Sequence, residues 1–461
     1  MSRPSKIHFE ISERKVLLRV LDLVTVFLVL YGVGKLFAFD YFVISTERWE
    51  WLIILAIYLT FFGTIFELYD LQKASKTDIV LKNILLTSSL TVLFYLLTPF
   101  YTPQLPGNRL QIIYFFLAIV VALFFWRLAY ITLISSPRFY KRILLIGNSS
   151  NALLMINAIE KSDPNYKVIG FINTGKEFTE DIEIPTFTTE DIKQVIKKYA
   201  ISEIVVSGNF SKRLSLLLYT QLLGLLEKGF SIKEYTQVYE DLTYRVPVHH
   251  VEKDFYRYFP FSRSNQNKLY LFFHRAMDVL LSVIGLMFGL LLLPVILIGN
   301  LIANHGPLFY FQKRVGKNGK TFFIIKLRSM IIDAEKDGAV WASYQDQRVT
   351  GFGRFLRKSR IDEIPQFVNV LKGDMSIIGP RPERPVFVKE LSEEIPFYEI
   401  RHIIKPGLTG WAQVNSNYAA SKEDALEKLQ YDLYYIKKRS VFLDMNILLK
   451  TFSTILFYRG H

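Results

Sequence analysis

The sequence contains no cysteine among its 461 residues. Disulfides, thiolate nucleophiles and cysteine-based metal sites are therefore excluded. Any catalysis or metal binding must come from oxygen and nitrogen groups.

A glycine-rich nucleotide loop is also missing. From residue 142 to about residue 251, predicted strands (142–147, 167–172, 203–207) alternate with predicted helices (151–161, 189–199, 214–228), as in a small parallel-sheet α/β domain. The first strand ends in Gly147-Asn148-Ser149-Ser150-Asn151, where a dinucleotide site needs Gly-x-Gly-x-x-Gly. Asn173 stands where an acidic ribose ligand is expected. We therefore predict a degenerate, Rossmann-like domain with a structural or regulatory role, which argues against an oxidoreductase.

Ionisable residues are scarce inside the apolar segments of the chain. Arg19 and Asp22 lie one helical turn apart, and this spacing predicts that they neutralise each other. A row of intramembrane ionisable residues, which a transporter would use, is not seen.

The sequence does contain several long apolar runs, and half of its residues are hydrophobic. This composition indicates an integral membrane protein. Four segments are long enough to span a bilayer: residues 16–37, 51–71, 79–100 and 110–134. The first exceeds the apolar core of a signal peptide and lacks a small-residue cleavage site, so we expect it to be retained.

Basic residues flank these segments unevenly. They cluster before the first, between the second and third, and after the fourth. The positive-inside rule then places both ends of the bundle in the cytoplasm. The formal charge of +14 suits anionic lipid and phosphorylated substrates, and nucleic acid is not an expected partner.

A fifth apolar segment, residues 279–298, has cationic sequence on both sides and contains Pro294. Both flanks therefore resemble cytoplasmic sequence, and a proline inside a helix kinks it. We predict a re-entrant helix over about 276–304 that enters and leaves the bilayer by one face.

Two predicted strands, 309–311 and 321–328, follow this segment. Lys326 and Arg328 end the second strand, where cations suit phosphate contacts and equally suit a membrane surface. Residues 441–458 mix apolar and polar side chains, which favours an interfacial amphipathic helix.

Asp362 and Glu363 form an adjacent carboxylate pair downstream of four cations, which are Arg354, Arg357, Lys358 and Arg360. Pro365 predicts the first turn of a helix that begins near Asp362 and runs to Gly373. Free N–H groups at such a start favour anions. The alternative is a common surface dipeptide beside a solvated basic face.

Three blocks carry a resemblance to a known family. They are Asp362-Glu363-Ile364-Pro365-Gln366, Gly379-Pro380-Arg381-Pro382, and Lys405 to Asn415 with the sequence Lys-Pro-Gly-Leu-Thr-Gly-Trp-Ala-Gln-Val-Asn. Over about residues 270–461 the chain resembles the bacterial sugar transferases, specifically a monotopic phosphoglycosyl transferase, or polyprenyl-phosphate sugar-1-phosphate transferase. The preceding bundle and α/β domain resemble the large form, which initiates exopolysaccharide, capsule or O-antigen synthesis.

The resemblance implies transfer of sugar 1-phosphate from a UDP-sugar to undecaprenyl phosphate, with release of UMP. Asp362 would be the nucleophile that forms a covalent phosphosugar intermediate, and Glu363 would help to hold Mg²⁺. A carboxylate nucleophile and a hard cation agree with these roles. A UDP-glucose or UDP-galactose type is expected.

Further residues match the family motifs. Arg381, with Gly379, Pro380 and Pro382, is implied to contact the nucleotide, and Asp444 is implied to lie near the metal. Arg314, Lys326 and Arg328 match blocks that could bind phosphate, Gln413 and Asn415 belong to the third block, and Pro294 matches the helix-breaking proline. Arg401 and Asp432 also match, or form a structural ion pair.

One position departs from the family pattern. Ser416-Asn417 replaces the Gly-Arg of many relatives, so the identity of the sugar cannot be inherited from them.

The predicted architecture has three domains. They are a four-helix transmembrane bundle (1–137), a Rossmann-like α/β domain (138–255) and an α/β catalytic domain with a re-entrant helix (256–461). We expect a multi-pass protein of the bacterial inner membrane with its catalytic domain on the cytoplasmic face. A catalytically inactive membrane scaffold is the alternative, against which the intact dyad argues. A homodimer through the bundle is compatible with the sequence.

Overall fold

The computed structural model describes residues 11–37, 39, 41–42, 44, 46–70, 74, 77–134, 141–147, 152–163, 166–174, 184–188, 192–207, 216–248, 265, 267–332, 334, 346–416 and 421–456. Contacts within the chain divide it into two compact units, Met1–Thr243 and Tyr244–His461. The three-domain division stays a prediction.

The first unit begins with four apolar helices. They are α1 (Ile11–Leu36), α2 (Trp49–Ile65), α3 (Thr77–Leu97) and α4 (Leu110–Ala129), which continues as a π-helical turn, Tyr130–Ile134. Three predicted spans match helices that are long and apolar enough to cross a membrane, Arg14–Leu36, Ile79–Leu97 and Leu110–Thr132.

The second predicted span, 51–71, is wrong in extent. Helix α2 has only 17 residues and ends before Glu67, whose positive φ of 57° cannot continue a right-handed helix. The fourth helix of sufficient length and apolarity in the described residues is instead Lys268–Asn304.

A buried ion pair joins α1 to α4. Asp22 pairs with Arg127 at 2.7 Å between Oδ2 and Nη2, and neither side chain is exposed. The predicted pairing of Asp22 with Arg19 is therefore wrong, because Arg19 lies over the Tyr69 ring instead. The carboxylate takes its partner from across the bundle rather than from its own helix.

An α/β region completes this unit. Its strands are β1 (Lys141–Gly147), β2 (Tyr166–Asn173), β3 (Thr186–Phe187), β4 (Glu203–Val206) and β5 (Ser231–Glu234), and its helices are α5 (Ala152–Ser162), α6 (Ile192–Tyr199), α7 (Leu216–Leu226) and α8 (Tyr235–Thr243). All strand pairs are parallel, in the order β3-β2-β1-β4-β5, which confirms the predicted parallel sheet. Residues 148–151 of the degenerate loop lie outside the described residues, and Rossmann-like ligand binding stays a prediction.

The second unit is built along α9 (Lys268–Gly299), which Asn267 caps by accepting from the backbone N–H groups of Leu269 and Tyr270. The helix runs through Pro294 and ends in a π-helical turn, Asn300–Asn304. Pro294 therefore lies inside a continuous helix. Entry and exit by one membrane face stay a prediction.

A β-hairpin follows, formed by β6 (Phe309–Val315) and β7 (Thr321–Leu327). Both strands were predicted, although β6 is longer than expected. The remaining elements are α10 (Gly351–Lys358), α11 (Gln366–Lys372), β8 (Ser376–Ile378), α12 (Pro385–Glu394), β9 (Gly407–Thr409), α13 (Trp411–Asn415), α14 (Lys422–Lys438) and α15 (Val441–Leu456). The last helix confirms the predicted helicity near the C-terminus, while its interfacial position stays a prediction.

Helix α11 is fixed between β7 and α9. The Asn369 side chain accepts from the Ile325 N–H at 3.0 Å and donates to the Phe323 carbonyl at 2.7 Å. Arg275 of α9 donates to the carbonyls of Val370 and Leu371 at the C-terminal end of α11. The two flanking elements therefore determine where the residues just before α11 are placed.

Replacing Asn369 with alanine tests this arrangement. Asn369→Ala leaves one N–H and one carbonyl of β7 without their partner, and each lost partner costs about 1–3 kcal/mol. We expect a clearly lower midpoint of thermal unfolding in detergent. Asn318→Gly, at an exposed residue with φ of 56°, is the control and should be near neutral. Equal midpoints for the two variants would contradict the proposed role of Asn369.

Candidate active site

Asp362 and Glu363 lie in a tight turn between α10 and α11. Helix α10 stops before Arg360, whose φ of 58° is left-handed, and a 3₁₀ turn, Ile361–Glu363, follows. Pro365 then precedes the first residue of α11. The helix predicted from Asp362 to Gly373 is therefore divided into a 3₁₀ turn and an α-helix, and Pro365, which has no N–H to donate to the Ile361 carbonyl, lies between them.

Three cations surround the Glu363 carboxylate. Its Oε1 lies 3.0 Å from Nη2 of Arg381 and 3.3 Å from Nζ of Lys326, and its Oε2 lies 3.6 Å from Nη1 of Arg360. Burial opposes ionisation of this group, but the three positive charges outweigh it and hold the pKa of Glu363 well below its usual range. Glu363 is therefore a fixed negative charge.

Asp362 has a different environment. It is 7% exposed, and among the described residues its carboxylate has no hydrogen bond or ion pair. Burial, together with the neighbouring negative charge of Glu363, raises the pKa of Asp362 to about 6 against the charges of Lys326, Arg357 and Arg360. Its carboxylate is therefore available to a ligand.

Both carboxylates line a cavity of about 340 Å³. This volume is of the size that binds small molecules. The predicted site residues that also line it are Arg314, Lys326, Arg328, Arg381 and Gln413. The cavity therefore collects residues from β6, β7, the dyad turn, the Gly-Pro-Arg-Pro block and α13.

The Gly379 to Pro382 block reaches the cavity by close backbone packing. The Gly379 N–H donates to the Thr409 carbonyl, and the Gly407 N–H donates to the Pro380 carbonyl. A Cβ atom at Gly379 would lie 2.4 Å from the Lys405 carbonyl oxygen, so a side chain cannot fit there. Gly379, Pro380 and Pro382 shape the backbone that presents Arg381.

Two predicted phosphate ligands, Arg328 and Arg314, donate hydrogen bonds to backbone carbonyls. Arg328 donates to the carbonyls of Pro307, Met330 and Asn304. Arg314 donates to the Gln312 side chain and the Pro382 carbonyl, and it pairs with Glu383. Both residues also line the cavity, and their phosphate contacts stay a prediction.

Asp444 and Asn415 are not brought to the dyad. Asp444 accepts hydrogen bonds from the hydroxyls of Tyr270 at 2.6 Å and Tyr435 at 2.7 Å, and it is not among the residues that line the cavity. Asn415 accepts from Lys450 at 2.6 Å. The metal role of Asp444 stays a prediction. Ser416 lines the cavity, while Asn417 lies outside the described residues.

Sequence reasoning missed most of one wall of the cavity. Ser421, Ala425 and Lys428 of the α14 region line it, next to Asp432, which the sequence analysis had named. Their spacing of three to four residues places them on one helix face, which is the signal that could have identified them. The ion pair between Arg401 and Asp432, with 2.8 Å between Nη2 and Oδ2, is as predicted.

The donor set available to a metal is small. No cluster of three His, Asp or Glu residues occurs within the part of the chain that the structure describes. Mg²⁺ is commonly held by one or two carboxylates together with water and substrate phosphate oxygens. The Asp362 carboxylate fits this requirement once a phosphorylated ligand supplies the remaining oxygens, whereas both oxygens of Glu363 already lie beside a cation.

The residues that line this cavity lie within the part of the chain that matches a known protein family. A family model described as bacterial sugar transferase matches residues 269–458. A UDP-N-acetylgalactosamine-undecaprenyl-phosphate N-acetylgalactosaminephosphotransferase from Aeromonas hydrophila is 46% identical over 221 residues, which are 48% of this chain and 51% of that protein.

Two further relatives are similar to part of the chain. A putative undecaprenyl-phosphate N-acetylgalactosaminyl 1-phosphate transferase from Bacillus subtilis (strain 168) is 53% identical over 141 residues, which are 31% of this chain and 79% of that protein. A UDP-glucose:undecaprenyl-phosphate glucose-1-phosphate transferase from Xanthomonas campestris pv. campestris is 40% identical over 182 residues, which are 39% of this chain and 38% of that protein. The chain thus spans about half of the Aeromonas protein and less of the Xanthomonas one.

Proposed function

Because the chain belongs to the bacterial sugar transferase family, we propose that it transfers sugar 1-phosphate from a UDP-sugar to undecaprenyl phosphate and releases UMP. One observation carries this proposal. A single cavity contains an Asp362 carboxylate without a partner among the described residues, next to a Glu363 carboxylate that three cations neutralise. The first has the freedom that a nucleophile needs, and the second does not.

In the first step, an Asp362 oxygen attacks the phosphorus that carries the sugar. The bond from this phosphorus to the bridging oxygen breaks, and UMP leaves with that oxygen. The product is an acyl phosphate that links Asp362 to sugar 1-phosphate. Splitting one difficult transfer into two easier ones is the benefit of covalent catalysis.

In the second step, a phosphate oxygen of undecaprenyl phosphate attacks the same phosphorus. The bond to Asp362 breaks, and the carboxylate is regenerated. The product is undecaprenyl diphosphate sugar, which can initiate assembly of a polysaccharide. No proton or electron is left over in the two steps.

The cations around Glu363 suit the charge of the donor. Lys326, Arg360 and Arg381 lie beside the dyad, and a diphosphate placed against Asp362 would meet them. Mg²⁺, when held by Asp362 or Glu363 and the diphosphate, would supply further neutralisation of phosphate charge.

The sugar is proposed from the relatives. The two with the higher identities are named for N-acetylgalactosamine, and the Xanthomonas relative is named for glucose. UDP-N-acetylgalactosamine is therefore the first donor to test, followed by UDP-glucose and UDP-galactose, the donors expected from the sequence.

We also propose that α9 enters and leaves the cytoplasmic face of the inner membrane. Arg275 near its start bonds to α11, and Gly299 at its end lies against Phe352 of α10, where a Cβ atom would come within 2.3 Å of the ring. Both ends of the helix thus pack on the same unit, which supports a re-entrant path over a crossing.

The nucleophile is tested by Asp362→Asn. This variant should lose UMP release by on the order of 10³-fold or more, and also the sugar-phosphate adduct detected by mass spectrometry of the intact protein. Asp374→Asn, an exposed carboxylate beyond α11, is the control and should retain both signals. Release of UDP in place of UMP would indicate glycosyl transfer and overturn the assignment.

The metal is tested by its removal. We expect EDTA to stop UMP release and Mg²⁺ to restore it, because phosphate charge must be neutralised. Glu363→Gln should raise the Mg²⁺ concentration for half-maximal rate by at least about tenfold. Glu390→Gln, an exposed residue of α12, should leave it unchanged. A full rate in EDTA would contradict the metal proposal.

The membrane path is tested with single cysteines, which this cysteine-free chain allows without other changes. Exposed Lys268→Cys and Lys320→Cys, on the two sides of α9, should both resist a membrane-impermeant maleimide applied to intact cells. Gly107→Cys, in the connection between α3 and α4, should react. Labelling of only one of the two lysine positions from outside would mean that α9 crosses the membrane.

A further inference from the structure

The 379–383 segment, which carries Arg381, cannot be held mainly through its own N–H groups. Pro380 and Pro382 have none, since the proline ring removes the donor. Its carbonyl groups accept hydrogen bonds from other parts of the protein instead. The Pro380 carbonyl accepts from the Gly407 N–H at 2.9 Å, and the Glu383 carbonyl accepts from the Val315 N–H at 2.9 Å.

The two carbonyls between these positions receive side-chain donors. Nη2 of Arg401 donates to the Arg381 carbonyl at 3.0 Å, and Nη1 of Arg314 donates to the Pro382 carbonyl at 3.1 Å. Two guanidinium groups thus replace the main-chain donors that a strand would supply. They reach the segment from β6 and from the 3₁₀ turn Tyr398–Ile403.

Arg401 is itself fixed on further sides. The same Nη2 donates to Oδ2 of Asp432 at 2.8 Å, and Nη1 donates to the Tyr398 hydroxyl at 2.6 Å. Arg401 is 6% exposed and Asp432 is 1% exposed. Both terminal amino groups of this arginine are therefore engaged by the protein, although the residue lines the cavity.

We propose that Arg401 and Asp432 are positioning residues that fix Arg381 through its backbone carbonyl. Arg381 in turn places its guanidinium 3.0 Å from Glu363, where it would face the donor diphosphate. The inference rests on the proposed function, since that function gives Arg381 its task. Neither Arg401 nor Asp432 needs to touch the substrate.

The geometry explains why an arginine and an ionised partner are needed. A guanidinium is a rigid planar fork, so one nitrogen can serve the Asp432 carboxylate and the Arg381 carbonyl while the other serves Tyr398. Lysine has one flexible nitrogen and cannot hold this arrangement. Asparagine at position 432 keeps an acceptor but loses the charge that orients the guanidinium.

The experiment measures the first half-reaction alone. Radiolabelled UMP is exchanged into UDP-N-acetylgalactosamine, or into UDP-glucose if that is the active donor, with Mg²⁺ and without undecaprenyl phosphate. Asp432→Asn and Arg401→Lys should each slow exchange by up to about a hundredfold, the loss that follows misplacement of a catalytic contact. Melting temperatures show that each variant is folded.

A double-mutant cycle separates positioning from general destabilisation. In an Arg381→Ala background, Asp432→Asn and Arg401→Lys should change the exchange rate by less than about twofold, because there is no guanidinium left to place. Arg245→Lys is the control: Arg245 pairs with Glu427 of α14, the helix that carries Asp432. Its effect, whatever its size, should be the same in both backgrounds.

The exchange rates in the two backgrounds distinguish positioning from the alternatives. Strong slowing in the unaltered background with little effect beside Arg381→Ala supports positioning. Equal losses in both backgrounds, or no loss in the first, overturn it. Absence of exchange in the unaltered protein with all donors overturns the proposed function, and the inference with it.

Discussion

The ion pairs of Glu363 are the interaction on which the site depends. Two adjacent carboxylates at 7% and 9% exposure would repel each other, and burying an uncompensated charge is costly. Lys326, Arg360 and Arg381 remove this obstacle, but they come from a strand, a helix-terminal turn and the proline-rich 379–383 segment. The fold must bring these three parts together before the dyad can be buried at all.

Helix α11 connects the dyad and its cations to the apolar helix α9. Asn369 joins α11 to β7, the strand that carries Lys326, and Arg275 joins α11 to α9. Gly285 of α9 lies against the Phe367 ring, and a Cβ atom there would come within 2.3 Å. The turn that holds the carboxylates is therefore seated on the apolar helix itself. Under the proposed function, this arrangement holds the nucleophile close to where a lipid-linked phosphate arrives.

Periodicity and motifs predicted which elements form, because hydrophobic spacing and strand-breaking residues are local properties. They predicted the parallel sheet and the two strands that pair as the β6–β7 hairpin, although they did not predict the pairing itself. They did not predict the partners of charged side chains, because these partners lie on elements that are far apart in the sequence. Asp22 pairs with Arg127 rather than with nearby Arg19, and Arg328 donates to three carbonyls that its motif did not indicate. A buried cation in a motif is thus ambiguous until its neighbours are known.

The same reasoning explains why neighbouring carboxylates can differ in their chemistry. Successive side chains of a 3₁₀ turn point about 120° apart, so Asp362 and Glu363 cannot face the same surroundings. The longer side chain of Glu363 pairs with Lys326 and Arg381, whereas Asp362 lines the cavity and forms no ion pair among the described residues. Burial raises the pKa of both groups, but the net shifts have opposite directions, because only Glu363 has bonded cations whose charge outweighs the effect of burial. The difference between a fixed charge and a free carboxylate comes from the turn and its partners, and not from the residue types alone.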